Sequence, residues 1–406
     1  FFFFYLSVIF GFYFNEDNLG GAASDSIYHF KITEKFNEDF YLTFLQFGNR
    51  EVGMGTRNSP IFWIFLSFFE KFLTYDVIRI INTFVIFVIA VIFYKSLIIK
   101  FKNVSQTHII ILSTFMFLSP SLRSLGIWPY SLLWGLLFFS LSIYYFLKFK
   151  DNLDFRKSLI ILLNVIVASY IYPSFCVFYI FYLFEISKKF KNKKNYIWGL
   201  LFLSFIFSLP CLFYLISKDF FTSFQNAQGM EMSLLQSLNI SNKILIISTI
   251  SVYLLLPVLN FKELFLKLKK LSFKHSNFLI FLIVINFYFF NFPYDVWGGG
   301  FFHKLSHLLL NNNYLFFLSA LVSIFIIFLT IDKKFKNYLL LVLLILYNPQ
   351  FTIYIKYFDP LVFILFLTLF DFDLKKHFFR KSYAFYQFYG VIIFYYLAIY
   401  SKKILL

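Results

Sequence analysis

Charge is what this chain has least of. Only 14% of its 406 residues are Asp, Glu, Lys or Arg, whereas a soluble globular domain carries about a quarter. That shortage excludes an ordinary water-wetted surface. Cysteine is nearly absent too: Cys176 and Cys211 lie inside apolar runs, away from any metal-ligand spacing, so neither a disulfide framework nor a zinc site is implied. No charged run of voltage-sensor type, no glycine zipper and no transporter-type repeat is visible. An initiating Met is missing as well. The first apolar run, Phe1–Phe14, is shorter than the roughly 20 residues that cross a bilayer. With no small-residue cleavage site behind it, the run reads as a spanning helix whose start is missing, not as a cleaved signal.

What the chain has in excess is hydrocarbon: 60% of residues are hydrophobic, 25% are aromatic, and Phe alone occurs 67 times. That composition belongs in a bilayer. The Phe, Lys, Asn and Ile bias is also what an AT-rich genome produces, so the aromatic count is not read as a set of sugar platforms. Lys and Arg number 37 against 20 Asp and Glu, a net charge of +17. In a membrane chain this excess points to sidedness, not to nucleic acid. Cutting at the charges leaves twelve apolar runs, from Phe1–Asn15 to Ser382–Ser401. If the first helix runs from inside to outside, the inner connections hold 24 of the 37 basic residues and seven of the 20 acidic ones. The alternation requires Ser158–Ile186 to enter and return, yet its length allows only one span of about 30 Å at about 1.5 Å per residue. Tyr172-Pro173 lies at its middle, so a re-entrant hairpin turning at Pro173 is expected. The expected fold is an all-α polytopic membrane protein with about 11 full transmembrane helices, this helical hairpin, and outer-face juxtamembrane helices after the first span. It divides into residues 1–190, with the first outer loop at 16–59, and residues 191–406, with outer loops at 218–243 and 295–313.

The outer connections are long and acidic where the inner ones are short and basic. In the first, Gly20-Gly21 is a joint, and Ala22–Phe47 sets Phe30, Phe36, Phe40, Phe44 and Phe47 mostly three or four residues apart. The spacing predicts an amphipathic helix along the membrane surface. Ser59-Pro60 then restarts a helix with proline in its first turn. The surface helix starts beside the outer end of the first span and carries Asp25 there, where partial desolvation makes a carboxylate a better general base. The alternative is that Ser24 or Asp25 is only the helix N-cap.

Asp25-Ser26-Ile27-Tyr28, a surface helix, and Ser59-Pro60-Ile61-Phe62-Trp63 follow a first helix that runs from inside to outside. In this order they resemble the GT-C superfamily, polytopic glycosyltransferases that use polyprenyl-phosphate sugars. The resemblance extends to Asp76–Lys100 with Arg79 and Asn82, to Leu118–Pro129 with Arg123, and to the hairpin at Tyr172. It covers roughly the first 190 residues. Two departures stand out: Asp25-Ser26 replaces the usual Asp-Glu pair, and Ser59-Pro60-Ile61-Phe62 replaces Pro-Pro-Leu-Tyr. The resemblance implies inverting transfer of a sugar from a polyprenyl phosphate to an acceptor hydroxyl of a glycan, lipid or protein. It further implies an enzyme of the bacterial inner membrane that works on the periplasmic face.

Such a reaction needs a carboxylate to take the acceptor's proton: Asp25, with Asp17 or Glu51 as the second. The leaving phosphate is already an anion and needs fixed cations, not an acid. Arg57, Arg123, Lys304 and Lys356 are the outward cations, each equally a lipid-headgroup contact. Tyr28, Pro60 and Tyr172 complete the expected substrate-binding set. The expected partners are the polyprenyl-phosphate sugar donor, a glycan or lipid-linked acceptor and membrane lipid, with no nucleic acid. No cofactor is called for, and a divalent metal stays open. His303 and His307 share a helical face, but Asp295 is the one carboxylate in reach, so an interfacial helix is expected there instead of a metal site. Two other functions compete. A transporter or flippase for lipid-linked sugars needs ionisable residues inside its spans, where this chain has mainly Asn82, Asn164 and Asn286. An O-antigen polymerase or ligase typically has a late, arginine-rich outer loop, and here the dominant outer segment comes first.

Overall fold

A computed structural model of the chain describes residues 2–17, 21–49, 52, 54, 59–190, 193–217, 239–259, 261–269, 273–294, 298–371, 389, 390 and 393. Every regular element among them is helical. The chain divides into two compact units, Phe1–Glu231 and Met232–Leu406.

The first unit runs α1 (Phe2–Tyr13), α2 (Ala22–Glu38), α3 (Phe40–Gln46), α4 (Ile61–Glu70), α5 (Tyr75–Lys100), α6 (Gln106–Ser113), α7 (Phe115–Leu118), α8 (Pro120–Ile127), α9 (Ser131–Phe149), α10 (Phe155–Ile171), α11 (Phe178–Lys189) and α12 (Lys194–Ser217). The single surface helix expected over Ala22–Phe47 is two helices. Asp39 is extended, its N–H bonds back to Lys35, and its side chain accepts from the Leu42 N–H at 2.9 Å. A side chain that caps so well ends one helix and starts the next. The apolar residues of this stretch divide: Phe40, Tyr41, Leu42 and Leu45 of α3 are exposed, as a helix along a membrane surface requires, whereas the apolar face of α2 is covered. Ile32, Phe36 and Phe47 are buried in a cluster with Phe62, Trp63, Leu66 and Ile78 of α4 and α5. At the expected hairpin, α10 stops at Tyr172, a 3-10 turn covers Pro173–Val177, and α11 packs back against α10.

The second unit runs α13 (Ile240–Leu255), α14 (Phe261–Lys269), α15 (Phe273–Tyr288), α16 (Gly300–Leu310), α17 (Tyr314–Thr330), α18 (Phe335–Leu346), α19 (Ile355–Phe358) and α20 (Leu361–Thr368). Helix α13 is its centre and packs against α15 to α20. An apolar cavity of about 220 Å³ lies between α13, α15, α17 and α18, walled by Ile247, Leu279, Ile327, Tyr338 and Leu344. At one end of this unit Asp371 pairs with Lys334 at 2.8 Å and Lys336 at 2.5 Å, tying down the basic turn before α18.

Three described helices are long and apolar enough to cross a bilayer: Tyr75–Lys100, Ser131–Phe149 and Lys194–Leu212. A fourth span results if Gln106–Leu118 and Pro120–Ile127, bent by 59°, count as one. The other apolar helices have 10–17 residues. The expected count of about eleven full spans is not reproduced by helix length, because apolar runs in sequence are cut by caps and prolines. Ser119-Pro120 and Tyr172-Pro173 each stop a helix inside such a run.

Candidate functional site

Of the residues expected to do chemistry in the first unit, Asp17, Asp25 and Arg123 lie on segments that meet where α1 ends. The arrangement starts at α8. Ser119 caps it by accepting from the Leu122 N–H at 3.1 Å, Pro120 occupies its first turn, and the 59° bend sets it across the preceding helix line. Its last carbonyls would be orphans, and α5 supplies their donors. Asn82 Nδ2 donates to the carbonyls of Leu125 at 2.8 Å and Gly126 at 2.7 Å, and Arg79 Nε donates to that of Ile127 at 3.2 Å. Gly126 is required by this approach, since a Cβ there would lie 1.9 Å from Ile86 Cδ1.

Two guanidinium groups then hold the exit of α1. Arg123 Nε donates to Glu16 Oε1 at 2.8 Å, and its Nη2 bonds Glu16 Oε2 and the Ser7 carbonyl. Its Nη1 donates to Ser7 Oγ at 2.8 Å and the Phe117 carbonyl at 3.2 Å. All five N–H groups of Arg123 are therefore used inside the protein. A phosphate could reach it only by displacing Glu16 or Ser7. Arg79 donates to Asn15 Oδ1 at 2.8 Å and Asp76 Oδ1 at 3.1 Å and lies 3.9 Å over the Trp128 ring, whose indole N–H donates to the Glu16 carbonyl at 3.1 Å. Sequence reasoning passed over Glu16, which marks the boundary of an apolar run and so read as loop.

Asp17 follows directly. Its Oδ2 accepts from the Ala23 N–H at 3.3 Å, in the first turn of α2, while Oδ1 is buried with no hydrogen-bond partner among the described residues. Asp25 is half-buried in the same first turn of α2. Neither Ser24 nor Asp25 caps that helix: the N-cap is Gly21 at φ +94°, a conformation that favours glycine, and the Ser24 hydroxyl donates back to its carbonyl. The same face of α2 carries Ser26, whose hydroxyl lies 2.7 Å from that of Tyr75, and His29, whose ring is 4.2 Å from Trp63 and 5.5 Å from Tyr130. Tyr28 stands beside His29 and is exposed. Pro60 opens α4, with Ser59 Oγ accepting from the Ile61 N–H at 3.3 Å. The structure thus brings together Asp17, the first turns of α2 with Asp25 and Tyr28, and the start of α4. Tyr172 lies elsewhere in the same unit, buried at the end of α10 against Gly135 of α9. Glu51 and Arg57 lie outside the described residues.

Lys304 and Lys356 belong to the second unit. Lys304 bonds the Tyr294 carbonyl and sits 4.7 Å over that residue's ring. Lys356 is buried on α19, next to Asp359, which is buried too. His303 is fully buried among Phe290, Phe292, Tyr294 and Phe316. Burial, helped by the neighbouring His307 and Lys304, pushes its pKa down to about 4, against a weaker opposite pull from the Phe292 backbone. His307 bonds Asn313 through Nε2 at 2.8 Å. Among the described residues no three His, Cys, Asp or Glu come together as a metal site, and Asp295 lies outside them. No family model, curated protein or solved structure matches this chain.

Proposed function

We propose that this chain is a membrane glycosyltransferase of the GT-C kind, moving a sugar from a polyprenyl-phosphate donor to an acceptor hydroxyl on the outer face of the membrane. The observation that carries the reading is Asp17. One of its oxygens is tied to the helix that bears Asp25, and the other is buried with no hydrogen-bond partner among the described residues. A carboxylate oxygen held this way is positioned to receive a proton from an acceptor hydroxyl placed beside it. In the reaction the acceptor oxygen attacks the anomeric carbon, its proton passes to a carboxylate, and the phosphate leaves as an anion with inversion. The open oxygen favours Asp17 as the base and leaves Asp25, in the first turn of α2, to orient the acceptor. The exposed Tyr28 and the buried aromatic wall of Trp63 and Tyr130 then bound the acceptor side. About eleven spans, a bacterial inner membrane and a periplasmic site belong to the same proposal.

The test is transfer by the full chain in liposomes supplied with polyprenyl-phosphate sugars. Asp17→Asn is expected to lower transfer about 10²-fold or more, and Asp25→Asn to lower it less, both with unchanged thermal stability. Transfer at the wild-type rate in both variants would remove the reading. Movement of unaltered donor across the bilayer, with no glycosylated product, would replace it with a flippase.

A further inference from the structure

The second unit contains a buried charge that no described residue balances. Lys243 lies in the first turn of α13, is 2% exposed, and its Nζ has no hydrogen-bond partner among the described residues. A buried ammonium in that state costs more than any neutral orphan. Helical side chains lean toward the N-terminus of their helix, so the ammonium is directed to the end of α13 where backbone N–H groups have no intrahelical acceptor. Asn239 satisfies the N–H of Asn242 there, and the remaining first-turn N–H groups of such a helix have no acceptor within the helix itself.

The surroundings are a polar layer assembled from distant parts of the chain. Asn242 and Asn291 exchange two hydrogen bonds at 3.0 Å, fixing the segment after α15 against the start of α13. The residues flanking Asn291, Phe290 and Phe292, pack on the buried ring of His303. Helix α13 packs against both α16, which carries His303, and α19, which carries Lys356. Lysines 243, 304 and 356 thus outnumber the one described acidic residue of this layer, Asp359.

We propose that Lys243 and the first turn of α13 form an anion site, and that its ligand is a phosphate group. A phosphate supplies several acceptor oxygens and up to two negative charges, matching one ammonium, first-turn backbone donors and a local surplus of cations. The site lies in the second unit and does not depend on the transferase reading. The phosphate can be a free ion or the headgroup of a membrane lipid.

The experiment uses the full chain in phosphatidylcholine nanodiscs. Thermal unfolding is followed with and without inorganic phosphate, and again with phosphatidic acid in the bilayer, for wild type, Lys243→Met and Lys243→Gln. A ligand that binds only the folded state raises its melting temperature. The expected result is an anion-dependent rise in wild type that both variants lose. Without added anion, Lys243→Met should melt no lower than wild type, since it removes an unbalanced charge. Native mass spectrometry should show phosphate or phosphatidic acid bound at least tenfold more weakly by the variants. A rise with inorganic phosphate identifies a free ion; a rise with phosphatidic acid alone identifies a lipid headgroup. The proposal is overturned if wild type responds to neither, or if the variants respond as wild type does. Asp17→Asn should bind as wild type, which separates this site from the base of the proposed transfer.

Discussion

At the scale of single residues, the charges that matter are few and buried, and their environments differ sharply. Arg123 and Glu16 are fully matched: every guanidinium N–H has an acceptor, and both carboxylate oxygens are held. Removing one partner leaves the other buried without compensation, which costs about 3–5 kcal/mol. Arg123→Met should therefore lower the melting temperature strongly, as should Glu16→Gln to a smaller extent, and Arg123→Met with Glu16→Leu should recover much of the loss. If Arg123→Met alone were harmless to stability but fatal to transfer, the guanidinium would belong to the substrate after all. The sequence marked Arg123 and Asp17 as unusual because each is an ionisable group beside an apolar run. Lys243 carried no such mark. It stands at the end of a polar stretch and counts there as one more loop lysine, and only the packing of α13 against its neighbours reveals that it is buried.

At the scale of elements, caps and prolines decide more than hydropathy does. The proline breaks at Pro120 and Pro173 fall inside apolar runs, and the second was legible as a hairpin turn. The split of the surface helix at Asp39 was missed, because phenylalanine spacing stays helical across a residue that prefers to cap. So was the start of α2 at Gly21, where the backbone conformation counts more than any side chain. The crossing of α8 over α5 rests on a glycine. At Gly126 an added methyl would fall 1.9 Å from Ile86 Cδ1 and 2.6 Å from its Cγ1, in a residue with no exposed surface. Gly126→Ala should destabilise by about 1–3 kcal/mol through overpacking. Adding Ile86→Ala should make the pair less damaging than the sum of the single changes, because the clash disappears with the isoleucine. A purely additive cycle would place the role of Gly126 in the backbone instead.

At the scale of the whole molecule, composition and apolar runs led to an all-helical chain, as the described residues are, and charge bias predicts a sidedness that helix lengths do not address. Helix α12 offers the cleanest check, since Lys194–Leu212 is long and apolar enough to cross by itself. Tags at Lys191 and Asn226 should report opposite sides of the membrane, and the same side for both would mean that α12 lies within it or returns. The expected number of spans depended on equating an apolar run with a crossing, an equation that every internal cap breaks. The cavity walled by Ile247, Leu279, Ile327, Tyr338 and Leu344 has a mechanical meaning of its own. A half-open apolar cleft of about 220 Å³ leaves its walls short of packing partners, so α13, α15, α17 and α18 should give way there more readily than where they touch. Because its walls are apolar, a noble gas such as xenon should fill the cleft and stiffen it.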